Sequence, residues 1–208
     1  MHFKHTVTSE DELRSLLGTP SKTVANKTIY HLDVHCKEFI SKAPIMFIST
    51  SDSSGHCDTS PRGDDAGFVH IIDDHTFIIP ERPGNKRMDS LRNILSNPYI
   101  GILFVIPGLE ETLRINGTAK IIRDTDILEE MNSHGKTPML GIAVQVEECY
   151  IHCAKAFKRS KLWQPDSWLQ KSALPYPPKI LADHINMPDI NSETIKAALE
   201  ESYSKRLY

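Results

Sequence analysis

Between Ile45 and His152 apolar runs of strand length follow one another, separated by turns or short helices and never by the regular long helices of a βαβ unit. Parallel strands need a crossover of a dozen or more residues, usually helical, so this spacing directs the chain toward antiparallel pairing. IMFIST from Ile45 runs into the turn-rich SDSSGH, and a second strand passes through Cys57–Ser60. Phe68–Ile72 and Thr76–Pro80 flank Asp73-Asp74-His75 as a tight hairpin. Tyr99–Ile106 is strongly apolar. In Glu111–Arg123, Leu113, Ile115 and Gly117 alternate with Arg114 and Asn116, the period-2 pattern of a half-buried strand. Leu140–His152 completes the series. Six or seven strands with two short interruptions, helices at 88–96 and 126–132, predict a mainly β fold: a small antiparallel barrel with flanking helices.

Helical extensions are expected at both ends. Glu10–Leu17 is capped by Ser9 and stopped by Gly18, and a second helix spans Leu32–Lys42. Beyond Trp163, five prolines between Pro165 and Pro188 punctuate a tail with short helices near 180–185 and 193–203. The expected organisation is therefore a helical extension over 1–44, a barrel over 45–165 and a helical tail over 166–208 packed on the same domain.

Charge and composition narrow the function classes. The formal net charge is −3, with both signs mixed along the chain, which argues against nucleic-acid partners. No apolar run approaches the ~20 residues of a membrane helix. The N-terminus lacks the apolar core of a secretory signal, so a cytoplasmic address is expected. Cys36, Cys57, Cys149 and Cys153 form no CxxC pair. On a strand, Cys149 and Cys153 share one face while His152 points to the other, so these three do not converge on a metal and none is expected.

Two segments carry the residues suited to binding. Ser60-Pro61-Arg62-Gly63-Asp64 closes one strand, and Pro80-Glu81-Arg82-Pro83-Gly84-Asn85-Lys86-Arg87 joins a strand end to a helix start. An antiparallel hairpin between their strands would gather Arg62, Arg82, Lys86 and Arg87. Four cations beside helix N-terminal amides, with Asn85 as a further donor, suit a phosphate dianion. The competing reading is a solvated turn whose charges pair with Glu81, Asp64 and Asp89. The second segment runs from Tyr150 to Trp163 and sets Lys155 and Arg159 at i, i+4 on a helical turn. No GxGxxG, Walker, zincin or nucleophile-elbow motif is present.

SPRGD at 60–64, PERPGNKR at 80–87 with DSLRNIL at 89–95, LRINGTA at 113–119 and HCAKAFKRS-x-LW at 152–163 together resemble the pyridoxamine 5′-phosphate oxidase-like, FMN-binding split-barrel family, over roughly 45–165. The resemblance implies a homodimer with FMN in the groove between subunits. By position, Ser60 and Arg62 would face the flavin phosphate or ribityl chain, and Arg82, Asn85, Lys86 and Arg87 would grip the phosphate. Thr112 would reach the flavin, and Lys155, Arg159 and Trp163 would come from the second subunit. The family's C-terminal Arg-Leu-x-Pro-like substrate motif is missing here, where the chain ends in IKAALEESYSKRLY. A B6 vitamer is therefore not implied as substrate. What is implied is an FMN-dependent oxidoreductase acting on a small unknown substrate, with NAD(P)H as the candidate reductant and no dedicated catalytic side chain named. The alternative is a non-catalytic protein that binds, stores or senses a flavin, a deazaflavin or heme; heme would call on His152 or His70.

Overall fold

The computed structural model of the chain describes residues 3–208. Three helices open it: α1 (Glu10–Leu17), α2 (Lys22–Ala25) and α3 (Val34–Lys42). Ser9 caps α1 through the Glu12 amide and Gly18 ends it at φ 77°, as its sequence predicts. The Asp33 carboxylate accepts the Cys36 amide at 2.8 Å, so α3 starts two residues later than expected. Seven strands follow: β1 (Ile45–Ser51), β2 (Cys57–Gly63), β3 (His70–Ile71), β4 (Thr76–Pro80), β5 (Tyr99–Val105), β6 (Thr112–Ile122) and β7 (Gly141–His152). Helix α4 (Asp89–Ser96) interrupts them after β4 and α5 (Thr125–Glu129) after β6. Helices α6 (Lys155–Ser160), α7 (Pro177–Ile185) and α8 (Ser192–Lys205) complete the chain. Among the described residues, no helix is long and apolar enough to cross a membrane.

All strands join one antiparallel sheet in the order β2-β1-β5-β6-β7-β4-β3. The sheet is curled. Phe77 on β4 and Phe104 on β5 are separated by two intervening strands, yet their ring centroids lie 6.1 Å apart. A flat sheet would hold those strands about 14 Å apart. Met46, Ile48, Phe77, Ile79, Ile102, Phe104, Leu113, Ile115, Ile142 and Val144 fill the enclosed core, which α3 covers with Phe39 and Ile40 and α4 with Leu91 and Ile94. The outer strands β2 and β3 do not pair, so the barrel is split by a seam.

One expectation is overturned. β2 forms no hairpin with the strand that precedes the cationic turn: β2 pairs with β1, and β4 pairs with β7 and β3. The short β1–β2 turn at Asp52–Gly55 closes that hairpin first, with Gly55 N and His56 N turned back onto Asp52. The ends of β2 and β4 nevertheless approach each other across the seam, where Arg62 and Glu81 form an ion pair at 3.3 Å.

Candidate functional site

Strand alternation aims Asp58, Ser60 and Arg62 to the same side of β2 as their partners Thr50, Ile48 and Met46, which are buried. Helix α4 lies over this row. Asp58 Oδ2 accepts the Ser60 hydroxyl at 2.9 Å and the Ser90 hydroxyl, from the first turn of α4, at 2.5 Å. Asp58 and Ser90 were not singled out in the sequence. Asp58 lies at the i−2 position on Ser60's face and was legible there; Ser90 needed the tertiary placement of α4.

The turn before α4 is exposed at Asn85, Lys86 and Arg87. Lys86 (φ 61°) and Met88 (φ 59°) both adopt the left-handed conformation that non-glycine residues enter rarely. Asn85 Oδ1 accepts the Arg87 amide at 3.0 Å, which pins the turn. Met88 provides no side-chain cap to α4, so the helix presents uncapped amides beside two cations.

Arg62, Arg82 and Arg87 each have an acid. Arg62 meets Glu81 across the seam, Arg82 Nε donates to Asp64 at 2.6 Å, and Arg87 Nε donates to Asp89 at 2.8 Å. These are the pairings of the solvated-turn alternative, but two of them are not solvated. The Asp64 side chain is 1% exposed and Arg82 15%. Asp64 also accepts the Tyr208 hydroxyl at 2.7 Å, the Ser133 hydroxyl at 3.3 Å and the Asp65 amide at 2.8 Å, while Arg82 Nη2 donates to the Met131 carbonyl. Burial works to raise the Asp64 pKa, but Tyr208, Asp65 and Arg82 together hold it below the ordinary carboxylate value. Glu81 goes the other way: burial raises its pKa and Arg62 only partly offsets that. Arg62 Nε and Glu81 Oε2 are buried without an aligned hydrogen bond. Lys86 has no acidic partner among the described residues.

The second segment lies elsewhere on the chain. Thr112 is buried at the start of β6, opposite His152 in the register. Lys155 and Arg159 are exposed on α6, and Lys158, between them, pairs with Glu110. Trp163 packs against Phe157 with tilted rings 5.9 Å apart at their centroids and donates to the Leu109 carbonyl at 2.9 Å. Thr112 and Trp163 thus share the end of the sheet near the β5–β6 turn, while Ser60, Asn85, Lys86 and Arg87 gather at the β2–α4 junction. On the outer face a shallow groove of about 420 Å³ runs past Ser49, Thr59, Tyr99, Gly101, Asn116 and Glu147. The Cys149, His152 and Cys153 side chains are not brought together as a ligand set: Cys149 is fully buried, while His152 and Cys153 are exposed.

The sequence profile described as pyridoxamine 5′-phosphate oxidase matches residues 32–153. The chain belongs to the pyridoxamine 5′-phosphate oxidase family. The matched span runs from Leu32, just before α3, to the end of β7, and contains both the β2 end and the α4 turn. No curated protein matches the chain. Among solved structures, it resembles a protein titled a putative pyridoxamine 5′-phosphate oxidase from Lactobacillus delbrueckii (15% identity, 60% of this chain and 98% of that one, TM-score 0.47). It also resembles HupZ of Group A Streptococcus (22%, 57% and 92%, 0.47) and HutZ, titled the heme storage protein of Vibrio cholerae (15%, 58% and 94%, 0.43). Likenesses this weak carry no functional weight, and membership of the pyridoxamine 5′-phosphate oxidase family stands on the profile match and agrees with the split seven-stranded sheet.

Proposed function

We propose that this member of the pyridoxamine 5′-phosphate oxidase family is an FMN-dependent oxidoreductase that works as a homodimer on a small substrate. The observation that carries this is the exposed turn at the α4 N-terminus, inside the matched span, where Lys86 and Arg87 stand beside uncapped helix amides. That donor set fits a phosphate monoester: Lys86 supplies a point charge, Arg87 a two-pronged donor on exchanging Asp89 for phosphate, and Asn85 holds the turn. The Ser60 and Ser90 hydroxyls lie close by on Asp58. Bound FMN would supply hydride chemistry, while the chain would bind its phosphate and exclude water.

Arg62 and Arg82 are supporting residues in this arrangement, since both are committed to acids at the seam. Thr112 adjoins Leu113, which the register places in one row with Phe104, Met46 and Arg62; Trp163 lies beside the β5–β6 turn, and Lys155 and Arg159 are exposed with no acidic partner among the described residues. The exposure of Lys155 and Arg159 on α6 supports their delivery, with Trp163, to the flavin of a second subunit. A second copy would also cover the outer sheet face, where Phe47 and Tyr99 are 39% and 63% exposed.

Absorbance of the purified protein, with mass spectrometry of any released ligand, tests the cofactor. Flavin bands and FMN are expected, and a Soret band would replace FMN with heme. The Lys86→Ala/Arg87→Ala variant removes two exposed side chains, so it should keep its melting temperature while FMN affinity falls about 100-fold or more, two charge-assisted contacts being lost. Unchanged FMN affinity would mean that the phosphate binds elsewhere. Bleaching of the bound flavin by NADH or NADPH, and its return with an added acceptor, distinguishes an enzyme from a storage protein. Sedimentation of the holoprotein as a monomer would remove the shared site.

A further inference from the structure

Two of the four cysteines face each other in the core. Cys36 on α3 and Cys149 on β7 are 113 residues apart in sequence, and their sulfurs are 3.7 Å apart. The surrounding backbone holds them there. Cys149 exchanges both backbone hydrogen bonds with Ile29, at 2.8 and 3.0 Å, and its thiol donates to the His31 carbonyl at 3.1 Å. Cys36 is fixed at the first turn of α3 by the Asp33 cap. Cys57 and Cys153 are exposed and stand elsewhere. A disulfide needs its sulfurs at about 2.05 Å, so forming it would require the two side chains to rotate toward each other from the observed separation.

We propose that Cys36 and Cys149 are an oxidative modification site, a dithiol that a hydroperoxide converts to an intramolecular disulfide. Cys36 keeps 6% of its surface accessible and Cys149 none, so a molecule as small as hydrogen peroxide meets Cys36 first. Its sulfur attacks the peroxide; an S–O bond forms as the O–O bond breaks, leaving a sulfenic acid and one water. The Cys149 sulfur then displaces that hydroxyl, forming the S–S bond and releasing a second water. Two thiols are oxidised by two electrons and one peroxide is reduced to two waters, so the reaction balances. The hydrogen bond to Cys149 and burial hold the Cys36 thiol protonated at neutral pH, which makes the first step slow.

The bond would tie α3 to β7. The loop after β2 rests on the end of this helix: Asp64 N donates to the Pro44 carbonyl at 3.1 Å and Gly67 N to the Ala43 carbonyl at 3.5 Å. Oxidation would therefore stiffen the support of Asp64 while leaving the α4 turn untouched.

The full chain carrying Cys57→Ser and Cys153→Ser, with the pair as its only thiols, is treated with hydrogen peroxide and then alkylated while unfolded. The expected product is 2 Da lighter than the untreated chain (two hydrogens lost), takes up no alkylating agent and yields a 36–149 linked peptide that dithiothreitol separates. Its melting temperature should rise by about 5 °C, since a long loop has been closed. The wild-type chain mapped in the same way is an independent check. Two alkylated thiols after treatment, over-oxidation of Cys36 without linkage, or a linkage that lowers the melting temperature would each overturn the proposal.

Discussion

Replacing Asp64 by asparagine will lower the stability of the fold by about 3–5 kcal/mol, because it leaves the Arg82 guanidinium in the seam without a countercharge. The cost is large because Asp64 is almost wholly enclosed and accepts from Arg82, Tyr208, Ser133 and its neighbour's amide at once. Urea unfolding of wild type and variant measures it, and a difference under about 1 kcal/mol would show the pair to be as weak as a surface one. The sign with pH follows from the depressed native pKa of Asp64. Its contribution is present above the ordinary carboxylate value and is lost as the pH falls through the lower, native one. The gap between wild type and D64N should therefore narrow in acid. Glu81, raised by burial, acts in the opposite sense: its contribution is present below the ordinary value and lost as the pH rises through the raised one. Because both chains keep Glu81, the difference between them isolates Asp64.

Replacing Gly117 by alanine should be at least as damaging. β6 and β7 lose register between Asn116 and Gly117, where a bulge inserts Glu147 into the ladder. A β-carbon on Gly117 would lie 2.0 Å from the Gln145 carbonyl oxygen and 3.0 Å from its carbon. Both are backbone atoms of the longest strand pair, and neither can swing away. Relief requires opening the bulge, at about 3 kcal/mol or more, and loss of folded protein on expression is the expected result. Gly101→Ala is the matched control: its added carbon would sit 3.4 Å from Asn116 Oδ1 and 4.0 Å from Ser49, so its stability should stay within about 1 kcal/mol of wild type. Equal stability for both variants would mean that the two strands do not meet in this register.

The strands are legible in the amino-acid sequence, because burying one face of a strand leaves a period-2 signature that any short window carries. The alternation around Leu113, Ile115 and Gly117 marks β6 to within a residue at each end, and the Asp73–His75 turn marks the β3–β4 hairpin. The cationic turn was legible too, as an exposed run between a strand and a helix. Tertiary structure alone decided which strands are neighbours and which acids answer the arginines. Arg62 meets Glu81 although their strands do not pair, because the sheet curls until its two margins face each other. Tyr208 reaches Asp64 across 144 residues, and Cys36 reaches Cys149 across 113. Local pattern records whether a side chain is buried. It does not record what buries it, because any partner of the right size and charge satisfies the same period.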